Sequence, residues 1–310
     1  MPKMHDGKAA MPEKPAWLKI RLHRDATFAE VDRVVRSRSL HTICSSGRCP
    51  NKAECWSRRT ATFMILGDVC TRGCRFCATA TGCPQAVDAS EPDKVAESIA
   101  LMGLRHAVIT SVTRDDLPDG GAAHWAATVE AVRRRNPGTT IEVLIPDMEG
   151  RHELIDIVAA SHPDIAGHNI ESVERLTPSV RSKAGYRRSL EVLSYMGSLG
   201  LRTKSGLMVG LGEREDEVLQ TLRDLRAAGV KIVTIGQYLQ PAAQHWPVAE
   251  YVVPERFDEY RKAALDMGFD YCASAPLVRS SYLAEEALKG CCKGAEGACG
   301  EVSQRQLDKI

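Results

Sequence analysis

The sequence lacks any run of 18 apolar residues, so no segment is expected to cross a membrane as a helix. Its first 22 residues, MPKMHDGKAAMPEKPAWLKIRL, also lack the apolar core of a signal peptide. They contain acidic residues, which are uncommon in organelle transit peptides. We therefore expect a cytoplasmic protein without a membrane partner.

An excess of charge of either sign is missing as well. Lysine and arginine together number 41, aspartate and glutamate 40, and the formal net charge is +1. Because acids and bases are interspersed, charge gives no indication of a nucleic-acid partner. A small molecule or another protein is the expected substrate.

Cysteine, by contrast, is plentiful, with 11 residues in a chain of 310. In a reducing compartment, grouped cysteines are more often metal ligands or catalytic thiols than disulfide partners. The grouping of the cysteines is therefore the main guide to function.

Short β-rich runs alternate with amphipathic helical stretches between residues 60 and 240, a pattern typical of βα units around a parallel sheet. Six units are too few for a complete eight-unit barrel, so we predict an α/β fold with a partial, open (β/α)6 TIM-like barrel. The predicted strands are at residues 60–67, 106–112, 140–146, 164–170, 203–210 and 231–238. The predicted organisation is an N-terminal extension (1–59), the barrel (60–240), a C-terminal extension (241–290) and a flexible tail (291–310), with both extensions over the barrel mouth.

Three cysteines follow the first predicted strand directly, in the stretch CTRGCRFC. Cys70, Cys74 and Cys77 have the spacing C-x3-C-x2-C, and Phe76 precedes the third. Three thiolates on a short loop can hold three irons of a [4Fe–4S] cluster and leave the fourth iron open. A zinc site completed by a distant fourth ligand is the alternative, although structural zinc sites usually contain paired C-x2-C elements.

A second group lies upstream in CSSGRCPNKAEC, where Cys44, Cys49 and Cys55 have the spacing C-x4-C-x5-C. Two groups that are each one ligand short of four are explained more simply by two iron–sulfur clusters than by zinc or disulfides. The missing ligand of the second group must come from elsewhere. The stretch APLVRSSY (275–282) is a candidate, although a surface turn containing serines is the ordinary interpretation.

The spacing of CTRGCRFC, with an aromatic residue before the third cysteine, resembles the radical S-adenosylmethionine (SAM) superfamily. The stretch GLMVGLGE (206–213) is similar to a glycine-rich pattern that shapes the adenine side of the cofactor site in that superfamily, and DLPDGGA (116–122) can offer backbone groups to the methionine amine. Ordinary turns are the alternative for both stretches, and structural hydrogen bonding is the alternative for His168 and Asn169. The cofactor contacts predicted in this way are Asp119, Gly120, Gly121, Asn169, Gly210 and Glu213, with Glu171 as a weaker candidate.

Together, these stretches resemble the lipoyl synthase family over about residues 38–285. The resemblance rests on LHTICSSGRCPNKAECW, TATFMILGDVCTRGCRFCATATGCP, HNIESVERL, TKSGLMVGLGE and GFDYCASAPLVRSSY. It implies two [4Fe–4S] clusters and S-adenosylmethionine as cofactors. The implied ligands are Cys70, Cys74 and Cys77 for the radical-generating cluster, and Cys44, Cys49, Cys55 and Ser281 for an auxiliary cluster, with Ser280 as the alternative serine.

The same resemblance implies a radical sulfurtransferase that inserts two sulfur atoms at C6 and C8 of a protein-bound octanoyl-lysine, with the auxiliary cluster as sulfur donor. The C–H bonds involved are unactivated, so cofactors must supply the chemistry while the protein positions and shields the substrate. The implied partners are octanoylated lipoyl domains, namely 2-oxoacid dehydrogenase E2 subunits and the glycine cleavage H protein, and an electron donor such as flavodoxin or ferredoxin. Arg279, beside the serines, is a candidate to pair with the cofactor or with a backbone carbonyl.

Two other functions stay open from the sequence: a related radical enzyme that adds sulfur to a free small molecule, and a non-catalytic cluster carrier. The serine-containing C-terminal stretch argues against the first, and the strand loops shaped for adenine argue against the second. The remaining cysteines, interpreted as buried or unused thiols, are Cys83, Cys272, Cys291, Cys292 and Cys299.

Overall fold

A computed structural model describes residues 13–19, 25–38, 40–282 and 286 of the chain. The strands are β1 (His41–Thr42), β2 (Thr62–Ile65), β3 (Val69–Cys70), β4 (Ala80–Thr81), β5 (His106–Ser111), β6 (Thr140–Leu144), β7 (Ile165–Gly167), β8 (Thr203–Val209), β9 (Ile232–Gln237) and β10 (Tyr271–Ser274). The α-helices are α1 (Ala26–Ser37), α2 (Ile43–Ser46), α3 (Lys52–Ser57), α4 (Glu91–Met102), α5 (Ala122–Arg135), α6 (His152–Ala159), α7 (Thr177–Val180), α8 (Tyr186–Ser198), α9 (Glu215–Ala227) and α10 (Pro254–Asp266). Short 3-10 helices cover Ala16–Leu18 and Met148–Gly150.

Eight strands form one sheet in the order β1-β2-β5-β6-β7-β8-β9-β10. β1 is antiparallel to β2, and each later neighbour is parallel to the one before it. The strands from β2 onward follow one another across the sheet in chain order with helices between them, as in a (β/α) barrel. Within the part of the chain that the structure describes, β1 and β10 are not paired with each other, so the barrel is open.

All six predicted strands are present, and the partial barrel is confirmed. The predicted number of parallel strands in the barrel is one too low, because β10 pairs with β9 as a seventh parallel strand. The sheet therefore continues past residue 240, into the stretch that the sequence assigns to the C-terminal extension. The predicted tail (291–310) lies outside the described residues.

The ends of α4 show why the helices begin and end where they do. Pro92 and two acidic residues occupy its first turn, where a missing N–H and negative charge are both favourable. Gly103 follows the helix with a φ of +62°, a left-handed conformation that glycine adopts without strain. Two tryptophans, Trp56 and Trp125, are completely buried against the barrel.

Strand β1 links the N-terminal part of the chain to β2, the first parallel strand of the barrel. All four residues of β2 are buried, and β1 pairs with it through His41 opposite Met64 and Thr42 opposite Phe63. This pairing places the residues that follow β1, including Cys44, Cys49 and Cys55, beside the barrel. No helix in the described ranges is long and apolar enough to cross a bilayer.

Candidate active site

The first site element is the loop of residues 70–77, called the Cys70 loop here, which follows β2. β3 and β4 form a short parallel pair at its two ends. The Sγ of Cys70 accepts hydrogen bonds from the backbone N–H groups of Arg72 (3.4 Å) and Thr113 (3.3 Å). These two hydrogen bonds fix the position of the Cys70 sulfur within the loop.

Cys74 and Cys77 lie at the other end of the same loop. The N–H of Cys77 donates to the carbonyl of Cys74 (3.0 Å), and the Sγ of Cys74 lies 3.8 Å from the Oγ of Ser182. Burial raises the pKa of the Cys77 thiol, although hydrogen bonds with Thr79 lower it in part. The three cysteines predicted for one cluster therefore share a single loop at the barrel mouth.

The second cysteine group lies in residues 43–57, called the Cys44 loop here, which folds as α2 and α3. The N–H of Cys49 donates to the carbonyl of Cys44 (3.1 Å). Burial raises the pKa of both Cys49 and Cys55, and the nearby Cys44 raises both further. The three thiols are thus close enough to interact electrostatically, as ligands of one cluster must be.

Each of the two cysteine groups offers three thiols as possible ligands. Among the described residues, no set of three or more His, Cys, Asp or Glu side chains is arranged to hold one ion. An iron–sulfur cube binds each thiolate through a different iron, so its ligands lie farther apart than those of one ion. Three thiols on one short loop are a donor set suited to an iron–sulfur cluster.

Residues 275–282, called the C-terminal segment here, follow β10, pass over β9 and reach β2. A Cβ on Gly236 of β9 would lie only 2.0 Å from the carbonyl oxygen of Val278, so glycine is required for this close crossing. The Nδ2 of Asn51 donates to the carbonyl of Leu277 (2.7 Å), and this bond is buried. Farther along, the hydroxyl of Tyr282 donates to Glu54 (3.1 Å). Two hydrogen bonds therefore connect the C-terminal segment to the Cys44 loop.

The two serines of this segment have different partners. The Oγ of Ser281 accepts a hydrogen bond of 2.8 Å from the hydroxyl of Thr62, the first residue of β2. The Oγ of Ser280 accepts one of 3.4 Å from the Nδ2 of Asn169. The segment thus spans the barrel from β9 to β2.

A cavity of about 500 Å³ lies between the Cys70 loop, the Cys44 loop and the C-terminal segment. Cys77, Asn169 and Ser280 line it. A molecule bound there would contact all three chain segments at once. Its apolar lining includes Ile43, Phe76, Leu207, Met208, Leu239 and Val278.

Asn169 and Glu171, just after β7, are the predicted S-adenosylmethionine contacts that line this cavity. Gly206 leaves room for the Asn169 side chain, because a Cβ at position 206 would lie 2.7 Å from its Oδ1. Glu171 has a φ of +67°, and burial raises its pKa while the Arg181 charge lowers it in part. A left-handed backbone is uncommon in residues other than glycine, and it sets Glu171 apart from the other predicted contacts that are not glycine.

His168, in contrast, has a structural role. Its ring nitrogens lie 2.9 Å from the carbonyl oxygen of Ile145 and 3.0 Å from the Oγ of Ser189. Burial lowers its pKa to about 4, so the ring is neutral near pH 7. The structural alternative weighed from the sequence is the one observed.

The other predicted cofactor contacts shape the turns around them. The carboxylate of Asp119 accepts hydrogen bonds from the N–H groups of Gly121 (2.9 Å) and Ala123 (3.0 Å) at the start of α5. The carboxylate of Glu213 accepts one from the N–H of Gly210, which has a φ of +92°. The five that lie outside the cavity lining are Asp119, Gly120, Gly121, Gly210 and Glu213.

Arg279 lines the cavity and donates from Nη1 to the carbonyl of Val278 (2.7 Å). Burial lowers its pKa, and the neighbouring Cys49 raises it in part. A backbone carbonyl, one of the two predicted partners, is thus bound by Arg279. The guanidinium therefore stiffens the C-terminal segment next to the second cysteine group.

Comparison with known proteins identifies the family. Residues 64–225 match the model of the radical SAM superfamily. The chain is 57% identical over 276 residues to the lipoyl synthase of Bacteroides thetaiotaomicron. The aligned residues cover 89% of this chain and 98% of that protein. The chain belongs to the lipoyl synthase family. The lipoyl synthase of Rubrobacter xylanophilus is 54% identical over 289 residues, covering 93% of this chain and 90% of that protein.

The fold agrees with this family. The crystal structure of Streptococcus suis SuiB bound to S-adenosylmethionine has a TM-score of 0.55 at 9% identity, covering 72% of this chain and 53% of that one. At this identity the likeness shows the fold alone. Membership of the lipoyl synthase family confirms the predicted enzyme class, a radical SAM sulfurtransferase that uses a [4Fe–4S] cluster and S-adenosylmethionine.

Proposed function

We propose that the chain inserts two sulfur atoms at C6 and C8 of an octanoyl group carried on a lysine of a partner protein. The observation that carries this proposal is the attachment of the C-terminal segment to the Cys44 loop, through Asn51 to Leu277 and Glu54 to Tyr282. It holds the serine-containing segment beside a cysteine group that is one ligand short of four, which supports a serine as the missing ligand.

Two clusters are proposed, one in each cysteine loop. The proposed ligands are Cys70, Cys74 and Cys77 for the radical-generating cluster, and Cys44, Cys49, Cys55 and Ser281 for the auxiliary cluster. When bound, the first cluster and S-adenosylmethionine supply the radical chemistry, and the second supplies sulfur. The described residues bind these groups, orient the substrate and keep water out.

Ser281 is proposed as the ligand in preference to Ser280. Thr62, its hydrogen-bond partner, begins the strand that pairs with β1, directly before the Cys44 loop. Ser280 is directed instead to Asn169 and the cavity. A hard oxygen ligand binds soft iron–sulfur metal less firmly than thiolate, so a serine suits a cluster that gives up its sulfur.

The cavity between the two loops is the proposed reaction space. Its apolar wall, which includes Leu207, Met208 and Val278, suits an octanoyl chain. Asn169 and Glu171 supply polar groups for the cofactor in the same space. Asp119, Gly120, Gly121, Gly210 and Glu213 are proposed to act through the shapes of the surrounding turns.

The proposed partners follow from this chemistry. The octanoyl group is carried on lipoyl domains, such as those of 2-oxoacid dehydrogenase E2 subunits and the glycine cleavage H protein. A one-electron donor such as flavodoxin or ferredoxin supplies the reductant. Cytoplasmic localisation remains a prediction from the sequence.

The test is anaerobic reconstitution of the chain with iron and sulfide, followed by incubation with S-adenosylmethionine, a reductant and an octanoylated lipoyl-domain peptide. Mass spectrometry should show a gain of two sulfur atoms with loss of two hydrogens. Iron should amount to about eight atoms per chain if both clusters form. Substitution of Cys44, Cys49 and Cys55 by alanine should abolish sulfur transfer but leave cleavage of S-adenosylmethionine. A reconstituted chain that binds only about four irons and still transfers two sulfurs would refute the two-cluster proposal.

A further inference from the structure

Arg72, between the first two cysteines of the Cys70 loop, is buried, with only 5% of its side chain exposed. Its Nε and Nη2 bind both carboxylate oxygens of Asp115, the shortest contact being 2.8 Å. Its Nη1 donates to the Oδ1 of Asp147 (2.7 Å). A buried guanidinium with two carboxylate partners thus lies within the loop proposed to hold the radical-generating cluster.

The two carboxylates come from neighbouring strands of the barrel. Asp115 follows β5 and Asp147 follows β6. Burial alone would raise the pKa of each, but the hydrogen bonds and charge of Arg72 outweigh it and keep both pKa values below the ordinary range. Both groups are therefore ionised near pH 7.

Two further cations surround the carboxylates from the segment around α8. The Nζ of Lys183 lies 3.2 Å from Asp115, and the Nη1 of Arg188 lies 3.7 Å from Asp147. Three cations therefore meet two carboxylates. The same segment contacts the Cys70 loop directly, through Ser182 to the sulfur of Cys74.

Backbone bonds fix these charges relative to the Cys70 sulfur. The N–H of Thr71 donates to the carbonyl of Thr113 (3.1 Å), and the N–H of Asp115 donates to the hydroxyl of Thr71 (3.1 Å). The N–H of Thr113 in turn donates to the Sγ of Cys70. The charged groups and the sulfur thus belong to one rigid unit.

We propose that Arg72, Asp115 and Asp147 set the reduction potential of the cluster held by the Cys70 loop, so that Arg72 favours the reduced state and the two carboxylates oppose it. Adding an electron makes the cluster more negative, which a nearby positive charge stabilises and a negative charge destabilises, most strongly where water is excluded. Arg72 positions the Cys70 loop through its contacts with Asp115 and Asp147, and its charge acts on the cluster. The inference rests on the proposed function only in placing a redox-active cluster on this loop.

Because Arg72 and the two aspartates have opposite charges, removing them should shift the midpoint potential in opposite directions. Asp115→Asn and Asp147→Asn should each raise the midpoint potential, Arg72→Gln should lower it, and Arg72→Lys should stay nearest to the wild type. The measurement is an anaerobic redox titration of the full reconstituted chain followed by electron paramagnetic resonance. The loop cluster is recognised as the one whose spectrum changes when S-adenosylmethionine is added.

A matched control is Glu142→Gln. It removes a buried carboxylate from its pair with Lys204 (2.7 Å), within β6 and away from the cysteine loops. It should destabilise the fold without moving the potential. The inference is overturned if the two aspartate variants leave the potential unchanged or lower it, whatever happens to Arg72→Gln. A wild-type chain without any cluster that responds to S-adenosylmethionine would instead refute the proposed function.

Discussion

The hydroxyl of Thr62 donates a 2.8 Å hydrogen bond to the hydroxyl of Ser281, which lies 219 residues later in the chain. Thr62 is buried on the first parallel strand, and Ser281 belongs to the C-terminal segment. A hydroxyl donor aimed at a serine oxygen stabilises that oxygen when it binds a metal. The contact thus joins the strand beside the Cys44 loop to the proposed oxygen ligand.

Thr62→Val should make the auxiliary cluster less stable, because it removes this donor while keeping the shape of the side chain. Loss of one such hydrogen bond costs about 1 kcal/mol. It should lower the ratio of chains with the serine oxygen in place to chains without it about fivefold. The measurement is the rate of iron loss from the anaerobically reconstituted enzyme. Thr62→Ser should behave like the wild type. Thr221→Val, which removes a buried helical hydroxyl on α9, serves as the control.

Alanine variants of the two serines should differ in cluster content. Ser281→Ala should lose the auxiliary cluster, or bind it with fewer irons, whereas Ser280→Ala should retain both clusters. Ser281→Cys should retain the auxiliary cluster and release its iron more slowly after the first sulfur is attached, because thiolate binds iron more firmly than an oxygen ligand. Iron and sulfide analysis before and after one turnover distinguishes these cases. Equal cluster content in both alanine variants would count against Ser281 as a ligand.

Gly236→Ala should displace the C-terminal segment, because the new Cβ would lie 2.0 Å from the carbonyl oxygen of Val278. We expect iron to fall from about eight to about four atoms per chain, with cleavage of S-adenosylmethionine retained. Gly138→Ala is the matched control, since nothing lies within 4 Å of a Cβ at that position. Full iron content in Gly236→Ala would show that the crossing is not needed for the auxiliary cluster.

Acid should destabilise the fold through His168. Its pKa is lowered to about 4 by burial and by the charges of Arg181 and Arg72, against the opposing effects of Asp147 and the Ile145 carbonyl. Below pH 6.5 the unfolded chain binds a proton at this ring and the folded chain does not, so stability falls as the pH falls towards 4. Between pH 7 and 5 this amounts to about 2 kcal/mol.

The measurement is the midpoint of anaerobic urea unfolding at several pH values, compared with His168→Gln. The variant should be less stable at pH 7 but should lose less stability than the wild type on acidification. If both lose the same amount, the neutral ring of His168 is not responsible.

The strands that the sequence predicts correctly are those with strong local patterns. β5, β6, β8 and β9 consist mostly of buried residues, which gives apolar runs that can be recognised without knowledge of the fold. β10 was missed because it has four residues, of which only Cys272 and Ser274 are buried. Its identity as a strand comes from pairing with β9, which is a tertiary effect.

The same distinction applies to the site. Each cysteine group is local in the chain, so its spacing alone indicates a cluster. The partners of Arg72 lie 43 and 75 residues away, and Asn169 lies 111 residues from Ser280, so no local pattern could indicate these contacts. The left-handed backbone of Glu171 is likewise not evident from the sequence HNIE.

The crossing of the C-terminal segment has a consequence for biosynthesis. The groups that hold Cys70 and Arg72, from Thr113 to Asp147, are all translated before the second half of the polypeptide. The Cys44 loop, in contrast, is completed only by residues 277–282. The partners that these thiols gain from residues 277–282 are therefore the last part of the proposed auxiliary site to be synthesised.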